Sequence, residues 1–256
     1  MDILMGGLPF WAFALACGVA VIAGMVKGAI GFALPLIMIA VLPSFMSAQT
    51  ALAALILPVL VTNAHQTFRF GWARAYASGR RFWRIIVTTL IGIVISAPFV
   101  VMLPQDVMFL LLGSAVLVFS LLQISGWAPD IPRNRRAAVE YLTGLIGGLY
   151  GGISGVWGPP TIVYLLATKT EKREMVSVMS VIFTVGGIML LLVHLKSGLM
   201  NAQTLPFSMA MVVPATLGLF IGYRVQDRLD ADKFRRYALI MLCVSALNLL
   251  RRGMFG

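Results

Sequence analysis

Residues 27–35 read KGAIGFALP and residues 151–160 read GGISGVWGPP, and the reading of these two stretches decides the fold. Each interrupts an apolar run too long for one crossing, 8–42 in the first case and 138–168 in the second. A bilayer core about 30 Å thick needs roughly 20 residues of helix. Such a run either crosses once with a kink or turns back as a hairpin of two helices. Glycine and proline suit both outcomes, because both weaken the helical ladder.

The rest of the chain supplies the context. Of 256 residues, 60% are hydrophobic and only 11% charged, whereas a water-soluble domain carries about 25% charged residues. Mean hydropathy is +0.94. Further apolar runs lie at about 48–68, 84–103, 107–124, 174–195, 204–222 and 234–250. Helix is the predicted state of each, since open strand edges cannot face lipid and barrel-like alternation is absent. The formal charge of +11 does not indicate nucleic acid, because the bases fall in short bursts between apolar runs rather than on one face of a soluble domain. Cys17 and Cys243 lie inside apolar stretches, which argues against a disulfide framework. An acid and no base precede the first apolar run, so that segment is predicted to be retained rather than cleaved as a signal.

Loop charge separates kink from hairpin. With two hairpins, one side collects Arg69, Arg74, Arg80, Arg81 and Arg84; Arg133, Arg135 and Arg136; Lys169, Lys172 and Arg173; and Arg224, Arg228, Lys233, Arg235 and Arg236. That is sixteen bases against three, Lys196, Arg251 and Arg252. With two single crossings the division is eleven against eight. Basic residues concentrate on the cytoplasmic side, so hairpins are predicted. The Arg251–Arg252 pair has no place in this pattern.

A hairpin plus three crossings is an odd unit, which inverts the second half relative to the first. Gly28, Gly31 and Pro35 match Gly152, Gly155 and Pro159, while Gly92, Ile95, Leu103 and Asp106 match Gly218, Ile221, Leu229 and Asp232. The predicted fold is all-α and polytopic: two inverted repeats, 1–128 and 129–256, each a broken helical hairpin plus three transmembrane helices, forming a single membrane domain.

In transporters of this architecture the substrate sits near mid-membrane where the breaks meet. Freed backbone groups are tolerated there only inside protein or beside a polar cavity, and a helix starting after a break turns its positive end toward an anion. A simple kink with close helix packing is the competing reading for Gly28, Gly31, Pro35, Gly155, Gly158, Pro159 and Pro160. Lys27 is either a functional intramembrane cation or a snorkelling one. Ser154, Trp157 and Thr161 can donate to an oxyanion, against back-bonding for the hydroxyls and interfacial anchoring for the indole. Tyr150 and Tyr164 are weaker candidates of that kind. Asn63 and Gln66 share a helix face and either line a site or glue helices together. His65 is the proton-coupling candidate, with an interfacial role as its rival, and His194 is a weaker version of the same case. The nine acids lie outside the apolar interiors, with only Glu140 near enough to be drawn in, which argues for an anionic rather than a cationic cargo. No phosphate-cradling, zinc-binding or nucleophilic triad pattern is present, so no enzyme, cofactor or metal is expected.

The paired breaks GAIGFALP and GISGVWGPP, the Asn in LPVLVTNAHQTFRFG, the basic loop after it and the doubled layout together resemble the sulfite exporter TauE/SafE family of membrane permeases, over nearly the whole chain. The resemblance implies transport of sulfite, sulfoacetate or other sulfonates, or of other organic acids, and maps the two breaks and Asn63 onto the family's most characteristic stretches. Gly186 and Gly187 stand where a second Asn would complete a symmetric site, so full symmetry is not implied. The expectation is a multi-pass protein of the cell inner membrane that moves a small oxyanion by alternating access. Its partners would be the anion and the lipid bilayer, with a homodimer left open. A channel-like pore, a permease for small carboxylates and a non-transporting scaffold are the rivals.

Overall fold

The computed structural model describes residues 4–69, 71–126, 129–226 and 231–255, apart from the side chains of 172, 231, 232 and 234. Asp2, Asp227, Arg228, Leu229 and Asp230, used above in the charge count and the repeat register, lie outside the described residues, as does the side chain of Asp232. The described residues form eleven α-helices and no strand. They are α1 Phe10–Ile30, α2 Leu34–Val41, α3 Ala48–Arg69, α4 Trp72–Arg81, α5 Trp83–Ser96, α6 Gln105–Ser125, α7 Arg136–Ser154, α8 Gly158–Ala167, α9 Lys172–Ser197, α10 Thr204–Val225 and α11 Ala231–Phe255. Seven segments, α1, α3, α5 with its 3-10 extension to Val101, α6, α9, α10 and α11, are long and apolar enough to cross a membrane. The protein is a polytopic helical membrane protein.

The chain packs as two compact units. One comprises Met1–Pro58, Val101–Trp127 and Leu199–Gly256; the other comprises Val59–Val100 and Ala128–Gly198. Each unit therefore draws on both sequence halves, and α3 contributes to each.

In the first unit, α1 ends at Gly31, whose φ of +93° is a left-handed cap. Glycine enters that region without strain. The chain then turns back. Trp11, at the start of α1, lies against Phe45 beyond α2, with ring centroids 6.5 Å apart. The first break is thus the tip of a hairpin. Its short arm α2 is buried from Leu34 to Ala40, a placement open to a non-spanning helix only inside protein. Between its arms Ala33 holds φ +86°, a conformation costly for a residue with a Cβ.

Two pairings complete this unit. Gly24 and Gly28 of α1 lie directly on the backbone of α10 at Ala215 and Leu219, and Gly218 and Gly222 of α10 lie on α1 at Val21 and Met25. This is the small-residue spacing that lets membrane helices approach closely. Against α6 packs α11, whose Arg235 donates to Gln123. The unplaced Arg251–Arg252 pair finds its account here. Arg252 donates to the Pro43 carbonyl and lies 4.8 Å over the Phe109 ring. Asn248 joins Ser44 at 3.2 Å, and Arg251 donates to Asn248 at 3.3 Å. These residues fasten α11 to the outer end of the α2 arm, so their position answers packing needs rather than the loop-charge rule. Pro58 inside α3 cannot donate to the Ala54 carbonyl. Ser208 of α10 donates to that carbonyl at 3.4 Å and accepts from the Leu57 N–H at 3.2 Å, which satisfies both groups.

In the second unit, α7 ends at Gly155 with φ +73°. Gly144, Gly148 and Gly152 of α7 lie against Ile85, Thr89 and Ser96 of α5, while Gly92 of α5 lies against Gly148. The Tyr164 hydroxyl, near the end of α8, donates to Glu140 near the start of α7 at 2.8 Å. That contact makes α7 and α8 antiparallel, so the second break is also a hairpin tip. The starts of α5, α7 and α9 gather at one end with α4, tied by Arg84–Glu140 at 2.9 Å and Arg81–Glu174 at 2.5 Å. α4 itself falls in a stretch read from sequence as a basic loop. It buries only Ala75 and Ser78, and Ser78 meets Ser177 of α9 at 3.2 Å.

Candidate functional site

At the second break four of the backbone groups around the interruption have partners that can be traced. The last carbonyls of a helix lack intrahelical donors. Gly151 receives the Gly155 N–H at 2.7 Å, Tyr150 receives the Ser154 hydroxyl at 2.9 Å, and Gly152 receives His194 Nε2 at 3.1 Å. The Val156 N–H donates to Ser154 Oγ at 3.0 Å. Ser154 is therefore committed to the turn, and back-bonding, its competing sequence reading, is what the structure shows.

α8 opens with Trp157 as its cap and prolines at 159 and 160. Of the four N–H groups a helix start leaves open, two are removed by those prolines. Side chains supply donors in their place. Trp157 is wholly buried, and Thr161, one turn on along the same face, is 1% exposed. Trp157 Nε1 and Thr161 Oγ1 have no hydrogen-bond partner among the described residues. The interfacial-anchor reading of Trp157 is thereby overturned: its ring stacks on Phe183 of α9, with centroids 4.9 Å apart and planes at 28°.

Three glycines make room for Trp157, Gly147 against its backbone carbonyl and Gly151 and Gly186 against its side chain. Cβ atoms added at Gly147 and Gly151 of α7 would meet Trp157 at 3.0 and 2.8 Å, and one at Gly186 of α9 would meet its ring at 2.8 Å. A fourth, Gly158, fits against Phe183 and Met179. Gly186, the position of the absent second Asn, thus accommodates the indole. Its neighbour Gly187 faces Leu60 of α3, and Thr67 of α3 meets Thr184 of α9 at 3.0 Å. Between those two contacts lies Asn63. Helix α9 accordingly brings the Asn-bearing face of α3 and the second break onto one support.

Asn63 and Gln66 are both buried. Asn63 Nδ2 donates to the Val59 carbonyl at 2.7 Å, and Gln66 Oε1 has no partner among the described residues. His65 is exposed and does not share their burial. Tyr150 OH is another buried atom without a partner among the described residues, whereas Tyr164 is engaged by Glu140. Lys27, Gly28, Gly31 and Pro35 belong to the first unit. Lys27 is 1% exposed in the last turn of α1, where a cation complements the helix dipole; it does not snorkel. Gly28 serves the α10 contact, Gly31 caps α1, and Pro35 lies in the first turn of α2. Among the described residues no group of His, Cys, Asp or Glu could hold a metal ion.

The profile of the sulfite exporter TauE/SafE family matches residues 16–249. The chain belongs to that family. The family is one of membrane transporters, and the seven apolar helices fit a membrane protein of that kind. Neither curated proteins nor solved structures give a match. Sequence reasoning missed His194 as a partner of the break and the glycines around Trp157. The i, i+4 spacing of Gly147 and Gly151 was the available signal.

Proposed function

We propose that this protein moves a small sulfur-containing oxyanion, such as sulfite, sulfoacetate or another organosulfonate, across the cell inner membrane by alternating access. One observation carries the reading: Trp157 Nε1 and Thr161 Oγ1 are buried donors with no partner among the described residues, on one face at the positive end of α8. Unpaired buried donors cost free energy unless a ligand completes them, and a helix start favours an anion. The remaining Trp157 and Gly158 backbone N–H groups, Gln66 and Asn63 contribute to the same subsite, while Lys27 supplies positive charge at the first break. Ser154 and Gly155 shape the turn. The sulfur chemistry comes from the family, and two inverted repeats provide the alternation. A homodimer is compatible with this reading and is not required by it.

Proteoliposomes offered sulfite, sulfoacetate, methanesulfonate and small carboxylates provide the test. Saturable uptake and counter-flow are expected for a sulfur oxyanion. A donor to a charged group contributes about 1.5–3 kcal/mol, so Trp157→Phe and Thr161→Val should each raise KM about tenfold or more. Lys27→Ala and Asn63→Ala should also lower uptake. Wild-type KM in both donor variants would refute the subsite; uptake of carboxylates alone would refute the sulfur assignment.

A further inference from the structure

His194 is wholly buried, one of two histidines in the chain, and the transport reading above gives it no task. Its surroundings define its chemistry. Nε2 lies 3.1 Å from the Gly152 carbonyl, and a carbonyl only accepts, so Nε2 carries the ring proton. Nδ1 is then the basic nitrogen. It faces Ser197 Oγ at 3.4 Å, a hydroxyl able to donate to a lone pair or accept from an N–H. The ring can therefore gain a proton at Nδ1 without losing Gly152. Gly152 is no ordinary partner: its carbonyl is free because the break sends the Val156 N–H to Ser154 instead.

The charges around this ring bear on how it would hold a cation. The acids of the second unit, Asp130, Glu140, Glu171 and Glu174, lie at the opposite end of its helices. Glu174 is twenty residues before His194 on α9, or roughly 30 Å at the helical rise, and Glu140 is twelve before Gly152 on α7, or roughly 18 Å. From α5 the one charged group is Arg84, paired with Glu140 at that same far end. α4 contributes Arg74, Tyr76, Arg80 and Arg81 there, and α8 contributes Tyr164, which is bonded to Glu140. Near His194 stand Ser96 of α5, which lies against Gly152, and, two residues on along α9 itself, the exposed Lys196. A buried imidazolium needs a counter-charge, and the described side chains near it supply none. The negative end of α7 helps, but a full anion at the break does more.

We propose that His194 carries a proton together with the transported anion. The proton comes from water on one side, forms an N–H bond at Nδ1 while the anion occupies the break, and returns to water on the other side. The buried imidazolium needs the anion's charge, and the anion, already met by the Trp157 and Thr161 donors, is held more firmly beside a protonated ring, so the two favour each other's presence and move together. This rests on the anion-transport reading and replaces His65, which is exposed, with a residue bonded to the break itself.

The test uses methanesulfonate, which stays ionised and cannot itself carry the proton. In wild-type proteoliposomes an inward gradient of one pH unit should concentrate it about tenfold at one proton per anion, independently of an imposed membrane potential. His194→Gln keeps a side-chain N–H for Gly152 but cannot titrate. It should exchange the anion at equal pH more weakly than wild type and give an accumulation ratio near one. Accumulation by His194→Gln equal to wild type, or a wild-type ratio unaffected by the gradient, would overturn the proposal. Absence of wild-type exchange at equal pH would instead count against the anion reading. Nitrogen-15 NMR then reads the proton site directly, on the histidine resonance missing from His194→Gln. A neutral ring protonated at Nε2 that gains its second proton at Nδ1 supports the proposal; a neutral ring protonated at Nδ1, or one that never titrates in the folded protein, refutes it.

Discussion

Gly186 and Gly187 are indistinguishable as letters in a sequence, yet the structure assigns their Cβ positions opposite consequences. At Gly186 a methyl would lie 2.8 Å from Cε2 and Cζ2 of Trp157 and 3.1 Å from Nε1. The ring cannot yield, because Phe183 covers one face at 4.9 Å and Gly151 leaves 2.8 Å at its Cβ and Cε3. Overpacking a fixed site of this kind costs about 1–3 kcal/mol. At Gly187 the nearest atom, the Leu60 Cα, is 3.5 Å away, an ordinary van der Waals separation. Gly187→Ala should therefore be neutral or gain up to about 1 kcal/mol of helix propensity. Thermal unfolding in detergent is the assay, at about 2–4 °C per kcal/mol for a chain of this size. Gly186→Ala should melt about 2–12 °C lower, with a change in Trp157 fluorescence, and Gly187→Ala should not. If Gly186→Ala melted with Gly187→Ala or above it, the indole would not lie against α9, and the donor subsite would lose its support.

Two further outcomes test the charged end and the turn. Glu140→Ala strands both Arg84 and the Tyr164 hydroxyl and should cost about 1–3 kcal/mol. Glu174→Ala breaks a pair whose side chains are 63% and 36% exposed and should cost under about 1 kcal/mol; equal melting shifts would contradict the burial difference. Ser154→Ala removes the acceptor of the Val156 N–H at 3.0 Å and should lower stability by about 1–3 kcal/mol, while Ser154→Thr, which keeps a hydroxyl, recovers part of it in the same melt.

The hairpins were legible because lipid imposes a rule on loop charge that acts before any packing. Sixteen bases against three required the chain to reverse at both breaks, and the Trp11–Phe45 and Tyr164–Glu140 contacts show both reversals. Helix α4 was not legible, since a ten-residue stretch with Arg74, Arg80 and Arg81 reads equally as a basic loop. Only the backing of α9 on Ala75 and Ser78 makes it a helix with a buried face. The same limit applied to the site. Ser154 and Thr161 carry equivalent hydroxyls near one break, and nothing local tells them apart. Ser154 follows a helix end and turns onto its own backbone, whereas Thr161 follows two prolines and does not. The role of Gly186 depends on a ring 29 positions away in the chain, a relation set by three-dimensional packing.

The two tips share their backbone features and differ in their donors. Each tip has a left-handed glycine, Gly31 or Gly155, and proline early in the following helix. Those features set backbone shape, and shape recurs. The donors do not. After the first tip a single proline leaves Ala33, Leu34 and Leu36 with N–H groups in the opening turn, and those three side chains offer no polar atom. After the second, two prolines leave Trp157 and Gly158, and the side chains of Trp157 and Thr161 add two donors. Ala33 accepts a φ of +86° where glycine would be unstrained, so the first tip bears a backbone cost the second avoids. The donor side chains of the second tip thus have no counterpart at the first, so on the proposed reading the substitutions expected to alter selectivity are those at Trp157 and Thr161.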